Sequence, residues 1–381
     1  MSNQTKGNLV DISSNTQVLN LYKKRGRIKR IVCIALSVIF LLSGSGFVYY
    51  YSVLNSMNYV DISNDNDNTD STLPSSSDVF GNGTSSNDLL QNSKVLNVML
   101  FGEDNNHGDK YGRTDTMIML SIDNIHKKIK LTSFQRDTYV YIPGNGYDKI
   151  NASYTLGGAK LSIQAIEANF GIKIDRYAVV DFESFIKIID TLGGIDMEVT
   201  QDEIDYINYQ MYKNDQTDTA TTITDAPGNV HLNGQEALWY ARDRGLTKGE
   251  DDNEIGIDGD DWDRTSRQRK LLETLFDSMK SADLGQIVSI VSSIGPLITT
   301  NLKKDEITAL VSNALTYLKY DVEQYYVPEE GLWYYDDDTP SGSVIRIADM
   351  EKQRLAFAKF IYEVGDSSSN NGNAQTTTSS N

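Results

Sequence analysis

Apolar and polar positions divide the chain into regimes that predict different elements. From 31 to 54 the run IVCIALSVIFLLSGSGFVYYYSVL holds 24 residues without a charge. As a helix it reaches about 36 Å, enough to cross a hydrocarbon core of about 30 Å. On either side of a long central region the pattern is polar and aperiodic: 55–93 and 366–381 are rich in Asn, Ser, Asp and Thr, with few groups able to bury apolar area, and read as a disordered stalk and tail. Between them, 94–365 alternates short apolar runs with helical spacings. VLNVMLF (95–101), TMIMLSI (116–122), KIKLTSF (128–134) and YVYI (139–142) predict four strands, the first two nearly continuous and so buried on both faces. RYAVVDF (176–182) and IDMEV (195–199) read as two more. AKLSIQAIEANFG (159–171) and FESFIKIIDTLGG (182–194) carry the helical period and stop at glycine. A later helix over 263–280 puts Arg264, Gln268, Leu271 and Leu275 on one stripe. Helices flanking buried strands predict a layered α/β or α+β domain.

Six basic residues (Lys23, Lys24, Arg25, Arg27, Lys29 and Arg30) precede the apolar run, and none follows until Lys94. The positive-inside rule places the N-terminus in the cytoplasm and the rest outside. The run is too long for a signal-peptide core and no A-x-A site follows, so an uncleaved anchor is expected. The domain reading is a cytoplasmic basic segment at 1–30, a span at 31–54, a stalk at 55–93, one folded domain at 94–365 and a tail at 366–381. The single cysteine, Cys33, excludes an intrachain disulfide. A formal net charge of -18 argues against nucleic acid as partner, since duplex binding needs a broad basic face.

Against that acidity, arginines recur inside carboxylate-bearing motifs: Arg113 in RTDT, Arg136 in QRDT, Arg242 and Arg244 in YARDR, Arg264 in DWDRTSRQ. A guanidinium fork matches phosphate oxygens bidentately, so the chain reads as a handler of phosphate or pyrophosphate. Asp104 follows one strand, and Arg113 and Asp115 stand at the start of the next. Two carboxylates facing a pyrophosphate outline a Mg²⁺ site, although Asp-rich loops are ordinarily solvated turns and Asp109 would serve on composition. Arg136 with Asp137 reads equally as a structural salt bridge. On an extended YARDR segment Arg242 and Arg244 would share a side and Asp243 would face away. His107, His126 and His231 lack metal-ligand spacing. The stretch 325–335 is rich in aromatics; packing is its ordinary use, a glycan platform the other.

Taken in order, RTDTMIMLSID, SFQRDTYVYIPG, YDKINASYTLGG, VDFESFIKIIDTLGGIDMEV, LNGQEALWYARDR and DWDRTSRQRKLL resemble the LytR-CpsA-Psr family over nearly all of 94–279. The resemblance implies a single extracellular α/β/α domain with a central mixed sheet and a hydrophobic pocket for a polyprenyl tail. It implies a Gram-positive envelope phosphotransferase, moving an anionic glycopolymer such as teichoic acid or capsule from a polyprenyl-pyrophosphate carrier to peptidoglycan. By the same resemblance Asp104 and Asp115 match Mg²⁺-associated carboxylates, and Arg136, Arg242 and Arg244 match pyrophosphate-binding arginines. Arg113 matches the arginine of RTDT, while Asp261, Arg264 and Gln268 match a D-x-x-R-x-x-x-Q frame in which Asp263 competes for the acidic place. Asp261 as general base meets an objection, because an acid among arginines ordinarily has a lowered pKa. The chain departs from the family in Gln135, where proline is common, in Asn105, and in a long acidic insert at 245–260. A pyrophosphatase or phosphatase on the same lipid, and an envelope regulatory protein, are the competing functions.

Overall fold

The computed structural model describes residues 51–62 except 53, then 89–104, 111–214, 223–245, 247–248, 254–255 and 259–363. The chain divides into two units, Met1–Ser56 and Met57–Asn381. Most of the predicted span, the basic segment before it, the tail, Asn105, His107 and Asp109 lie outside the described residues. Among the described residues no helix is long and apolar enough to cross a membrane.

The second unit is built on a seven-stranded mixed sheet. Its strands in chain order are β1 (Asn58–Tyr59), β2 (Val95–Asp104), β3 (Arg113–Asp123), β4 (Lys128–Phe134), then, past the small pair β5 (Tyr139–Ile142) and β6 (Gly146–Lys149), β7 (Arg176–Asp181). The pair β8 (Ile195–Val199) and β9 (Gly228–Leu232) stands apart, as does the two-residue pair β10 (Thr247–Lys248) and β11 (Glu254–Ile255). The chain returns to the sheet with β12 (Thr299–Thr300) and β13 (Asp321–Val327) and ends in the hairpin β14 (Trp333–Asp336) and β15 (Val344–Ile347). Sheet order is β1-β12-β7-β2-β3-β4-β13. β2 with β7 and β4 with β13 are parallel, while β2-β3 and β3-β4 are antiparallel. Asn58–Tyr59, drawn from the stretch read as a stalk, pairs with β12 and adds an edge strand.

Side chains alternate across the strands, so each face binds its own helices. Met99, Phe101, Met117, Met119, Phe134 and Tyr177 point one way. They pack under α1 (Ala152–Phe170) and the closing helix, whose Phe357 and Ile361 are fully buried. Leu96, Leu120, Ile122 and Ile129 point the other way, toward Phe276 and toward Leu310 and Tyr317. The three layers follow: helix, sheet, helix. A fully buried Phe or Met contributes about 1.5–3 kcal/mol, so the sheet–α1 layer is the main stabilising element. Its buried residues form one continuous apolar cluster. α1 begins earlier than its periodicity suggested because it is two helical pieces joined at Gly157 and Gly158, the latter at φ +63°.

A satellite cluster holds the arginine-bearing segments. α2 (Phe182–Thr191), α3 (Gln201–Lys213) and α4 (Gly234–Arg242) pack with β8, β9 and Leu271 of α5 (Asp261–Ser278). α3, α4 and α5 each start with a reciprocal capping box: Thr200 with Glu203, Asn233 with Glu236, Asp260 with Asp263. α6 (Leu284–Ile294), α7 (Lys304–Tyr317) and α8 (Met350–Tyr362) complete the unit.

Candidate functional site

The C-terminal ends of β2, β4, β7 and β13 and the start of β3 share one edge of the sheet, where the charged motifs meet. The meeting is organised by a β-bulge. In the β2-β3 ladder Gly102 pairs with Thr116 and Glu103 with Thr114, leaving Asp115 as an extra residue with no cross-strand partner. A bulge turns such a side chain out of the regular alternation. The fully buried Thr114 stitches it, its hydroxyl 2.9 Å from both Gly102 O and Thr116 O. A Cβ on Gly102 would stand 2.9 Å from the Thr116 Cβ, so glycine allows this approach.

Three guanidiniums converge on Asp115. Arg136, just past β4, donates Nη1 to Oδ1 at 2.9 Å. Arg244, two residues past α4, donates to Oδ2. Arg264, from the first turns of α5 and only 1% exposed, lies 3.4 Å from Oδ2 and donates to the Asp115 carbonyl at 3.0 Å. The second carboxylate is Asp261, with Oδ1 2.8 Å from Arg264 and 3.2 Å from Arg136. Asp137 is 3.4 Å from Arg136 and is itself held by Lys149 at 2.8 Å. Three guanidiniums thus face two carboxylates, leaving a surplus positive charge that suits an anion.

The two carboxylates titrate in opposite directions. Burial would raise Asp115, but Arg264, Arg244 and Arg136 outweigh it and hold the group below its ordinary value. Burial also dominates at Asp261 and there it wins: despite Arg264 and Arg136, and with Asp137 adding repulsion, Asp261 is pushed above the ordinary carboxylate value. This corrects the objection that an acid among arginines must be a feeble base. Burial also lowers Arg264, to about 10, with the two aspartates opposing. The capping box gives the two candidate acids different surroundings. Asp263 accepts from the Asp260 N–H at 3.0 Å and serves the helix start, while Asp261 points into the cluster.

The remaining predicted residues lie around this centre. Arg242 is the last residue of α4, so YARDR is a helix end and not an extended strand. Its guanidinium sits 4.4 Å from the Phe182 ring and 5.2 Å from that of Trp239, a cation–π seat. Together with Arg244, Lys213, Tyr206 and Gln210 it lines a polar cavity of about 470 Å³. Asp243, far from facing solvent, is 1% exposed and raised by burial; its carbonyl accepts from Arg267 at 2.6 Å. That buried pair fixes the turn that aims Arg244, and nothing in the spacing pointed to it. Gln268 donates to Ala241 O at 3.3 Å and so ties α5 to α4. Gln135 likewise donates to Thr265 at 2.9 Å and ties the Arg136 loop to α5. Arg113 is exposed opposite Asp104 in the ladder, and among the described residues no ion pair joins it to the cluster.

As metal donors Asp104 and Asp115 are chemically apt: hard carboxylate oxygens at neighbouring strand ends, with Asp115 Oδ1 carrying one arginine and a lone pair to spare. Elsewhere Asp123, His126 and Glu363 approach one another closely enough for a cation, but Lys130 already lies 2.9 Å from Asp123 and 3.1 Å from Glu363. Of the other histidines, His231 pairs with Asp196 at the surface.

The model of the LytR_cpsA_psr family matches residues 49–353. The polyisoprenyl-teichoic acid–peptidoglycan teichoic acid transferase TagV of Bacillus subtilis (strain 168) is 29% identical over 265 residues, 66% of this chain and 63% of that protein. The chain thus spans less than two thirds of that relative. The regulatory protein MsrR of Staphylococcus aureus (strain Mu50 / ATCC 700699) is 35% identical over 195 residues, 51% of this chain and 52% of its own length. Among solved structures, the LytR-CPS2A-psr family protein YwtF (TagT) with bound octaprenyl pyrophosphate lipid superposes with a TM-score of 0.52 at 21% identity, covering 74% of this chain and 97% of that one, a likeness of fold.

Proposed function

The chain belongs to the LytR-CpsA-Psr family, and from that premise we propose that it transfers an anionic glycopolymer from a polyprenyl-pyrophosphate carrier to peptidoglycan. The observation that carries the reading is the convergence of Arg136, Arg244 and Arg264 on the bulged Asp115. The names of relatives support it: one is a teichoic acid transferase and another holds octaprenyl pyrophosphate. In the reaction a peptidoglycan hydroxyl attacks the phosphorus that bears the glycan. A new P–O bond forms, the P–O bond to the bridging oxygen breaks, and polyprenyl monophosphate leaves with the electron pair. Asp261 takes the hydroxyl proton, its raised pKa making it the stronger base of the two acids. Arg136, Arg244 and Arg264 neutralise charge on the phosphoryl oxygens, and Arg242 with Lys213 extends that field into the adjoining cavity. Gln268 positions α5 against α4. Asp104 and Asp115 would hold Mg²⁺, which supplies further neutralisation of the diphosphate. The run 31–54 would anchor the protein as a single span, N-terminus inside and the catalytic unit outside.

The test uses the purified full chain in detergent with a polyprenyl-pyrophosphate glycan and Mg²⁺, with and without peptidoglycan oligomers, beside Arg244→Ala. Polymer–peptidoglycan product that needs acceptor and Arg244 is expected. Acceptor-independent cleavage would replace the transferase reading by a hydrolase, and absence of turnover with several donors would leave a regulatory role.

A further inference from the structure

Beside the arginine cluster the structure holds a run of aromatic rings that the phosphoryl chemistry does not use. Trp262, the residue after Asp261, stacks on Trp333 of β14 with centroids 4.8 Å apart and planes at 24°. Trp333 meets Tyr335 edge-on at 5.1 Å, and Tyr326 of β13 closes on Trp262 at 5.3 Å. The rings lead from the first turn of α5 out to solvent, where Tyr335 is 54% exposed. Trp333 and Tyr335 share a face of β14 because they are two apart on a strand.

The hairpin that carries them is fastened to the catalytic loop. The Ile345 N–H donates to the Asp137 carbonyl at 2.9 Å, and Thr138 bridges Ile345. Below, Gln135 holds Thr265, whose hydroxyl lies 2.9 Å from the Trp262 carbonyl. The ledge and the reacting groups are therefore placed by the same loop and the same helix turn.

We propose that this ledge is a carbohydrate subsite that seats a pyranose ring of the acceptor glycan strand, presenting its hydroxyl to Asp261. The proposal rests on the transferase reading for the identity of the occupant. The rings supply the chemistry that recognises a sugar face: the electron-rich faces of indole and phenol attract the polarised C–H edges of a pyranose and bury its apolar face. The rings continue outward from Trp262, next to Asp261, to the half-exposed Tyr335. The arginine cluster that pairs with Asp261 is left to the anionic donor.

The experiment is a fluorescence titration of the full chain in detergent with muramidase-released peptidoglycan oligosaccharides, no donor being present. Two of the chain's three tryptophans lie in the ledge, so binding reads directly. Wild type should saturate; Trp333→Ala and Tyr335→Ala should weaken binding at least tenfold, and Trp333→Phe should keep it. Because Tyr335 is exposed, its variant tests the ledge even if Trp333→Ala misfolds. No binding by wild type, or equal affinity in wild type and Tyr335→Ala, overturns the proposal. The two readings fail separately: glycan binding without transfer removes the transferase and keeps the subsite, whereas transfer with an acceptor KM unchanged in Tyr335→Ala removes the subsite alone.

Discussion

Replacing Asp115 by Ala should weaken the fold and tighten the site for pyrophosphate at once. Asp115 faces three cations, which differ in weight. Arg244 is 47% exposed, and a pair with so exposed a partner contributes at most about 0.5 kcal/mol. Arg136 is 22% exposed and contributes about 1 kcal/mol on the same scale. Arg264 is 1% exposed, and losing one of its two carboxylates costs about 2 kcal/mol, below the full 3–5 kcal/mol of a wholly buried broken pair because Asp261 remains. The sum is at most about 3.5 kcal/mol, or about 7 °C in Tm for a domain of this size. The opposite effect falls on the ligand. A unit charge about 4 Å away at an effective dielectric near 20 is worth up to about 4 kcal/mol, and partial exposure cuts this to about 1–2 kcal/mol, a Kd for pyrophosphate about tenfold lower in the variant. Thermal melts of wild type and Asp115→Ala in EDTA, with and without pyrophosphate, read both numbers. At ten times Kd the variant should regain about 1.4 kcal/mol. A variant as stable as wild type, or one that gains no more from pyrophosphate than wild type does, would show that Asp115 does not hold the arginines.

The other predictions concern the base, the far end of the sheet and helix packing. Asp261→Asn should lower kcat by about 10²–10⁴-fold and remove the acid limb of the pH–rate profile; in wild type that limb should lie above the ordinary Asp value of 3.8, and an unchanged kcat would exclude Asp261 as base. At Asp123, burial opposes but hydrogen bonds from His126 and Lys130 prevail and lower the group to about 2 from 3.8. A depressed acid contributes stability present above its unfolded pKa and lost as pH falls through the folded one, so about 2 kcal/mol should vanish between pH 4 and 2. Urea midpoints across that window should fall in wild type and fall less in Asp123→Asn. Gly234→Ala would set a Cβ 2.2 Å from the Ile186 carbonyl and push α4 off α2, costing about 3 kcal/mol by denaturant melt. Since α4 ends in Arg242, pyrophosphate affinity should fall with it.

How much of this was legible depended on the range of the forces involved. Strands whose apolar pattern is local were read with correct ends, as at 128–134, 139–142 and 195–199. The α5 stripe was also readable: Arg264, Gln268 and Leu271 are buried at the spacing expected. What spacing could not carry was cross-strand register. Asp115 gains its orientation from a bulge, which exists only when two strands are laid side by side. The helical end at Arg242 was missed because α4 is short and its start depends on the Asn233 cap. Asp261 and Asp263 are equivalent in sequence; a capping box separates them. The aromatic run at 325–335 was visible in the sequence, but its stacking on Trp262 of α5 was not, because that contact joins segments about 70 residues apart.

The arrangement also explains how a cluster of like charges stays assembled without a bound anion. Three guanidiniums within reach of one point repel each other, and without an anion the loop after β4, the turn after α4 and the start of α5 would splay. Asp115 supplies that anion from the protein itself, at a bulge fastened by a buried threonine, so on the proposed function the arginines are already in place for a diphosphate to compete for them. The exchange acts on Asp261 too, which shares Arg136 and Arg264. On the proposed function, a diphosphate that draws those guanidiniums would add negative charge nearby and raise Asp261 further, strengthening the proposed base. One carboxylate held low by arginines and another raised by burial would let two aspartates take separate roles within a single cluster.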